Sequence, residues 1–288
     1  MSTVFKSKKT IAITLVVSGV VLLTFIFIST KTDLLSPRPE VFLTPNEGIL
    51  IAHGGGLIDG HAYTNSREAL LSAADNGFRY IELDLMMTND GLIFGAHDWK
   101  FLNEKTGKPG EDSRSFSQLR DEKFLGKYSL LFADEISDYF AADKSLTLVT
   151  DKLKDYDAIT SQLNFNGFQD RMLVEVFGYK QYVRALKAGI KYPMLCVWHL
   201  KGLKKNLKRI RAGKVTMITL NAASLINEPE ILPLLEELHN NGTAIFAFTS
   251  NDLDFIKQHL GVRVSGFYTD SVTPEMLRTH TVNPRRDL

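Results

Sequence analysis

Sulfur and uncompensated charge are both scarce in this chain. Cys196 is the one cysteine in 288 residues, so an intrachain disulfide is excluded. Its apolar surroundings, Met194-Leu195-Cys196-Val197-Trp198, mark a buried structural thiol rather than a reactive one. Charge of one sign is missing too. The 34 Lys and Arg against 33 Asp and Glu leave a formal net charge of +1, which supplies no general pull toward nucleic acid. No segment indicates an obligate protein partner, and no repeat or low-complexity tract interrupts the chain. With 44% apolar residues, the chain can bury one sizeable core.

Long hydrophobic runs are absent beyond the N-terminal region, which holds one. Ile11 to Ile28 carries no charge and only Thr14, Ser18 and Thr24 as polar interruptions. At about 1.5 Å per residue it nearly crosses a hydrocarbon layer of ~30 Å. The run predicts a transmembrane helix over 11–29. Lys6, Lys8 and Lys9 precede it, which places residues 1–10 in the cytoplasm. A cleaved signal peptide competes with that reading, but the run is longer than a usual signal core, and Ser29-Thr30-Lys31-Thr32 offers no small-residue cleavage site. Residues 30–46, with Pro37, Pro39 and Pro45, read as a stiff tether. The expectation is a single-pass membrane protein whose main domain, 47–280, is periplasmic or extracellular, followed by a tail over 281–288.

Past the tether, eight strand-like apolar runs alternate with helix-like segments. The runs cover 49–53, 79–85, 146–151, 172–176, 194–198, 215–220, 243–248 and 265–269. Apolar residues at helical spacing fill Ser66–Asn76, Leu131–Ala142, Lys180–Ala188, Leu203–Arg211, Glu228–Asn240 and Leu253–His259. Such alternation predicts a parallel sheet with crossover helices, closed or open, and eight is the number that closes a barrel. Residues 86–130 depart from it, reading as an extra short strand at Leu92–Ala96 and then a polar loop.

Three short segments concentrate groups suited to phosphodiester chemistry, each at the end of a proposed strand. In Ile81-Glu82-Leu83-Asp84-Leu85 the period of two puts both carboxylates on one face. Two acids facing an interior are costly unless a cation sits between them, and Mg²⁺ or Ca²⁺ with oxygen ligands resolves that cost. Two unpaired acids at a solvated strand end are the alternative. His53 lies between the apolar run Ile49–Ala52 and Gly54-Gly55-Gly56, and His97 ends the extra strand before Asp98. Two imidazoles on one rim suit a general base and a general acid near neutral pH.

The order and spacing of these segments resemble the glycerophosphodiester phosphodiesterase family, whose pattern is H-R-G, E-N-T, E-x-D and H-D. Here they stand as His53-Gly54-Gly55, Thr64-Asn65-Ser66, Glu82-Leu83-Asp84 and His97-Asp98. Thr88-Asn89-Asp90-Gly91, Phe248-Thr249-Ser250-Asn251 and Gly266-Phe267-Tyr268-Thr269-Asp270 extend the likeness through nearly the whole domain. The resemblance implies a (β/α)₈ TIM barrel, a divalent cation on Glu82, Asp84 and a third acid, and catalytic histidines at 53 and 97. It also implies attack by a substrate hydroxyl beside the phosphate, with His53 as base and His97 as acid, on glycerophosphodiesters or phospholipid headgroups.

Three positions depart from the family pattern. Gly54 stands where an arginine is expected, and Thr64 where a glutamate is, leaving Asn65 as the substrate contact from that segment. In strict register the third acid would be Thr150. Taking Asp151 as the third ligand requires a strand end or bulge, since a one-residue slip flips the face. Lys152 or Lys154 then meets the phosphate, with Lys152 preferred. A catalytically silent barrel that binds a phosphorylated ligand or serves as a scaffold stays open as the alternative.

Trp198 is expected to contact substrate, while Trp99, Phe177 and Phe248 fit a pocket lining or rim packing equally. Glu175, within Val174-Glu175-Val176, is read as an acid turned to the lumen, where it needs a partner such as Lys152. Lys204, Lys205, Lys208, Arg209 and Arg211 make a basic helix, read either as a lipid-facing surface or as an ordinary solvated face.

Overall fold

The computed structural model describes residues 48–108, 110, 113–163 and 168–279. The expected cytoplasmic segment, transmembrane helix, tether and tail all lie outside the described residues. Among the described residues no helix is long and apolar enough to cross a membrane.

Eleven strands occur there in chain order: β1 (Ile49–Ala52), β2 (Tyr80–Met87), β3 (Ile93–Gly95), β4 (Lys123–Phe124), β5 (Tyr128–Ser129), β6 (Thr147–Asp151), β7 (Met172–Val176), β8 (Tyr192–Trp198), β9 (Met217–Asn221), β10 (Ala244–Phe248) and β11 (Gly266–Thr269). Eight of them pair in parallel in the order β1-β11-β10-β9-β8-β7-β6-β2, and pairing of β1 with β2 at Ile51–Tyr80 and Ala52–Ile81 closes the ring. The sheet is a closed barrel, as the eight apolar runs predicted. The extra strand β3 lies antiparallel to β2, with Leu85 opposite Gly95.

Alternation along the strands divides the core into two layers. Ile49, Ile51, Val149, Leu173, Met194 and Phe246 fill the barrel interior. Leu50, Ile81, Leu83, Leu148, Val174 and Ile218 join the outer layer with the helices. Burial of such apolar surface, at about 25 cal/mol per Å², is what holds the two layers together. Local chemistry sets the helix ends. Ser66 caps Arg67–Asp75 by accepting from the Ala69 N–H at 3.2 Å, and Asp98 caps Trp99–Thr106 by accepting from the Phe101 N–H at 2.7 Å.

Two sequence expectations need correction. Residues 86–130 are not a strand followed by a loop: they fold as β3, helices Trp99–Thr106 and Phe116–Leu119, and the β4–β5 hairpin. These pieces share a small core of Phe94, Leu102, Leu119, Phe124, Tyr128 and Phe132. The apolar residues of this region are too widely spaced to show a period, and they meet only once the chain doubles back. Helix Tyr156–Gln162 was also not expected, and helix Leu200–Arg211 begins three residues before Leu203.

Candidate active site

The C-terminal ends of the barrel strands, where active sites of this architecture sit, surround a cavity of about 400 Å³. His53, Glu82, Asp84, His97, Asp151, Lys152 and Trp198 all line it. A second cavity, of about 600 Å³, lies beside the starts of β9 and β10 and holds none of these groups.

Asp84 and Asp151 are direct partners in the β2–β6 pairing, two residues beyond the Glu82–Val149 pair. One carboxylate oxygen from each of Glu82, Asp84 and Asp151 lies within 4.8 Å of the others. Of the two devices expected, a strand end or a bulge, the strand end is present: Asp151 is the last residue of β6, and no bulge precedes it. The β2–β6 register runs without interruption from Tyr80–Thr147 to Asp84–Asp151, so ordinary alternation turns Val149 and Asp151 inward and Thr150 outward. Lys152, in a left-handed conformation with φ 62°, ends the strand. Its Nζ reaches within 3.7 Å of Asp84 Oδ1 and of Asp151 Oδ2. Lys154 is exposed and outside the cavity lining.

The carboxylates are held in place by neutral donors. Glu82 Oε2 accepts from the Gly54 N–H at 2.6 Å. Asn65 brackets Asp84: its Nδ2 donates to Asp84 Oδ2 at 2.9 Å, and its Oδ1 accepts from the Asp84 N–H at 2.8 Å. Asn65, expected as a substrate contact, is fully buried and outside the cavity lining, and its amide is spent on Asp84. Burial, then the neighbouring carboxylates of Asp84 and Asp151, push the Glu82 carboxyl well above its ordinary range. Burial and the charges of Asp84 and Glu175 do the same to Asp151, offset in part by Lys152. Asp151 Oδ1 is buried with no hydrogen-bond partner.

Each histidine is backed by its own carboxylate. His53 Nδ1 lies 3.0 Å from Asp270 Oδ1 and 3.1 Å from Thr249 Oγ1. Burial opposes ionisation of Asp270, but hydrogen bonds from His53 and Asn251 outweigh it and hold that carboxyl below its ordinary value. Asn251 Nδ2 donates to Asp270 Oδ2 at 2.7 Å. The His53 Nδ1 is thus engaged on both sides, and the ring lines the cavity. His97 Nδ1 lies 2.6 Å from Asp98 Oδ2, and its Nε2 lies 3.3 Å from Lys152 Nζ. The Tyr63 ring stands edge-on to both imidazoles, at 4.5 Å from His53 and 5.8 Å from His97 between centroids.

The sequence-level motifs over 248–251 and 266–270 contained Thr249, Asn251 and Asp270 without revealing that all three act through His53. Tyr63 had no sequence signal at all. Glu175 does face the lumen. It accepts from Tyr268 Oη at 3.4 Å, and burial raises its carboxyl to about 7. Trp198 lines the cavity, 46% exposed, stacked on Phe177 at 5.8 Å and edge-on to Phe248 at 5.6 Å.

Gly54 explains why no arginine follows the first histidine. Its φ is 56°, and a Cβ there would lie 2.7 Å from the backbone Cα of Tyr63. Its amide is engaged by Glu82, so neither a side chain nor that N–H is free for a phosphate.

The architecture is a closed parallel α/β barrel with carboxylates and histidines at its C-terminal mouth. Residues 58–152 match the model of the glycerophosphoryl diester phosphodiesterase family, so over this segment the chain is recognised as glycerophosphodiester phosphodiesterase-like. Among solved structures, a phosphodiesterase from Oleispira antarctica in complex with the product sn-glycerol-3-phosphate superposes with a TM-score of 0.64 at 17% identity, covering 80% of this chain and 95% of that one. A glycerophosphoryl diester phosphodiesterase from Parabacteroides distasonis gives 0.63 at 14% identity, covering 84% and 91%. The glycerophosphodiester phosphodiesterase of Thermotoga maritima gives 0.62 at 16% identity, covering 77% and 94%. These likenesses show the fold. No curated protein matches the chain.

Proposed function

We propose that the chain is a metal-dependent phosphodiesterase acting on glycerophosphodiesters or phospholipid headgroups, with His53 as general base and His97 as general acid. The observation that carries this reading is the meeting of two carboxylate-backed imidazoles with two buried acids and a half-buried third in one cavity. The family match over residues 58–152, and the sn-glycerol-3-phosphate held by the Oleispira antarctica relative, support the substrate class.

Glu82, Asp84 and Asp151 would hold a divalent cation, Mg²⁺ or Ca²⁺, which when bound neutralises phosphoryl oxygens and stabilises the charge that develops on them. The residues fit that cation. Three ionised acids against the one ammonium of Lys152 leave a formal local charge of −2, and Asp151 Oδ1 has no other partner. Burial and mutual repulsion of the acids express the same deficit.

His53 Nε2 takes the proton of a substrate hydroxyl next to the phosphate as that oxygen bonds to phosphorus. The bond to the leaving oxygen breaks, and His97 Nε2 supplies that oxygen with a proton, giving a cyclic phosphate and a free alcohol. Asp270 and Asp98 each steady an imidazolium through Nδ1. Lys152, beside His97, takes the role of phosphate cation that Gly54 cannot fill. Trp198 packs against the organic part of the substrate. The run Ile11–Ile28 would anchor the chain as a single-pass membrane protein, with the barrel periplasmic or extracellular.

The silent-barrel alternative draws support from Lys152, which stands close enough to neutralise part of the acidic cluster. The residual charge weighs against it. Hydrolysis of glycerophosphocholine and lysophospholipids with Mg²⁺, with Ca²⁺ and with chelator, alongside His53→Ala and Glu82→Ala, tests the reading. Metal-dependent turnover lost in both variants is expected. No turnover, or turnover that ignores chelation or survives both substitutions, overturns it.

A further inference from the structure

The near-neutral total hides a segregation of charge. Residues 176–227 contain eleven Lys and Arg and no Asp or Glu, which leaves 34 − 11 = 23 basic against 33 acidic residues elsewhere. That segment is contiguous in space: it carries two successive outer helices, Tyr179–Lys187 and Leu200–Arg211, between the neighbouring strands β7, β8 and β9. Some of its charges are satisfied. Lys191 pairs with Asp170 and Arg211 with Glu237, while the Arg209 guanidinium lies over the Tyr179 ring.

Lys201, Lys204, Lys205 and Lys208 are different. At i, i+3, i+4 and i+7 they form one exposed stripe of the second helix, separate from the Leu203 and Ile210 face that packs on the barrel. Among the described residues none of the four makes an ion pair. Like charges at these spacings weaken a helix, so the stripe is a standing cost that an external anion would relieve.

A second feature adjoins it at the cavity mouth. Helix Leu200–Arg211 starts two residues after Trp198, so the lysine stripe begins at the catalytic rim. Three large apolar side chains are exposed on that rim: Leu57 at 43%, Trp198 at 46% and Ile226 at 66%. They follow β1, end β8 and follow β9, all at C-terminal strand ends. Ser224 Oγ donates to the Trp198 carbonyl at 3.3 Å, which ties the short helix carrying Ile226 to Trp198, and the Leu57 N–H donates to the Asp270 carbonyl at 2.9 Å, just past the end of β11. Apolar side chains at a mouth flanked by uncompensated lysines match the two layers of an anionic bilayer surface, acyl boundary and charged headgroups.

We infer that the barrel docks through this rim and the Lys201–Lys208 stripe onto an anionic lipid surface, with the cavity mouth facing the headgroups. The inference does not rest on the proposed chemistry. It does supply a route by which a lipid-borne phosphodiester would reach the cavity without leaving the bilayer.

Trp99 and Trp198 are the two tryptophans of the chain, so Trp99→Phe leaves Trp198 as the one reporter. The full-length chain carrying that substitution is added to vesicles containing brominated acyl chains, made of phosphatidylcholine alone or with a phosphatidylglycerol minority. Quenching of Trp198 is expected in the anionic vesicles, and salt should reverse it. Replacing Lys201, Lys204, Lys205 and Lys208 together by Glu should lower the docked-to-undocked ratio by about 10²-fold or more. The same fourfold variant should retain hydrolysis of soluble glycerophosphocholine at the unsubstituted rate, which establishes that it folds.

Equal quenching in neutral and anionic vesicles, or none in either, overturns the docking surface while leaving the catalytic reading untouched. Retention on heparin without quenching would assign the face to a soluble polyanion and overturn it as well. Absence of hydrolysis with quenching intact would remove the catalytic reading alone.

Discussion

Asp151 stands opposite Asp84 in the parallel pairing of β2 with β6, so two carboxylates from adjacent strands are turned to the same side at the barrel mouth. Glu82, two residues before Asp84, completes a group whose oxygens lie within 4.8 Å. On the proposed reading, protons and a divalent cation compete for it.

Because Glu82 and Asp151 are pushed up by burial and by their neighbours, both hold protons at pH values where free carboxyls have lost them. Cation binding requires those protons to leave, so stabilisation by Mg²⁺ or Ca²⁺ grows as pH rises through the range, above that of ordinary carboxyls, in which these two groups ionise. Thermal unfolding with metal and with chelator across that range measures it. Asp151→Asn should stabilise the chelated protein by about 1 kcal/mol or more, by removing one repelling charge, and abolish the metal response. A metal response that is flat with pH would contradict the assignment.

Removing either imidazole should lower kcat by about 10²–10⁴-fold with little change in stability. Asp270→Asn tests the partner of His53 separately. It should cost on the order of 10²-fold in kcat, less than loss of the ring, and move the acidic limb of the pH–rate profile to lower pH, because the imidazolium loses its counter-charge. A change confined to KM would argue against a role through His53.

Restoring the arginine of the family pattern should harm the protein. Gly54→Arg places a Cβ 2.7 Å from the Tyr63 backbone and forces a branched residue to φ 56°. A loss of about 1–3 kcal/mol in denaturant unfolding is expected, together with displacement of the Glu82 hydrogen bond. Gly54→Ala should show most of the same loss, since the first side-chain atom carries the clash.

Glu175 gives a pH signature of its own. Its folded carboxyl sits at about 7 against an ordinary 4.5, so the folded state binds the extra proton between those values. Stability from this group is therefore complete below about pH 4.5 and declines as pH rises toward 7, by about 3 kcal/mol at most. Glu175→Gln should flatten that slope in chelator and make the protein more stable than the parent at about pH 8. Urea unfolding at several pH values measures the difference.

Much of the fold was legible in the chain because strand and helix leave different apolar periods. The eight runs and six helical stretches appear close to their expected bounds, down to Leu253–His259. Residues 86–130 were not legible, because Phe94, Leu119 and Phe132 become a core only when separated segments meet. The period of two likewise placed Glu82 and Asp84 on one face. It also contained the answer for Asp151, since Val149 and Asp151 share a face, but counting from the family pattern pointed to Thr150. Asp151 does lie at a strand end, one of the two devices expected, and no bulge was needed.

Residue order alone determined which chemistry was available: two histidines, paired carboxylates, glycines after the first histidine and an apolar N-terminal run. Those are properties of side-chain type and spacing, which the chain carries whether folded or not. Closure of the barrel decided the rest. It set Asp151 against Asp84, brought Asp270 and Thr249 to His53 from some two hundred residues away, hid Asn65 behind the acid it orients, and put Lys152 beside His97. Contacts between distant residues depend on strand order and register, and those are fixed only when the sheet closes on itself.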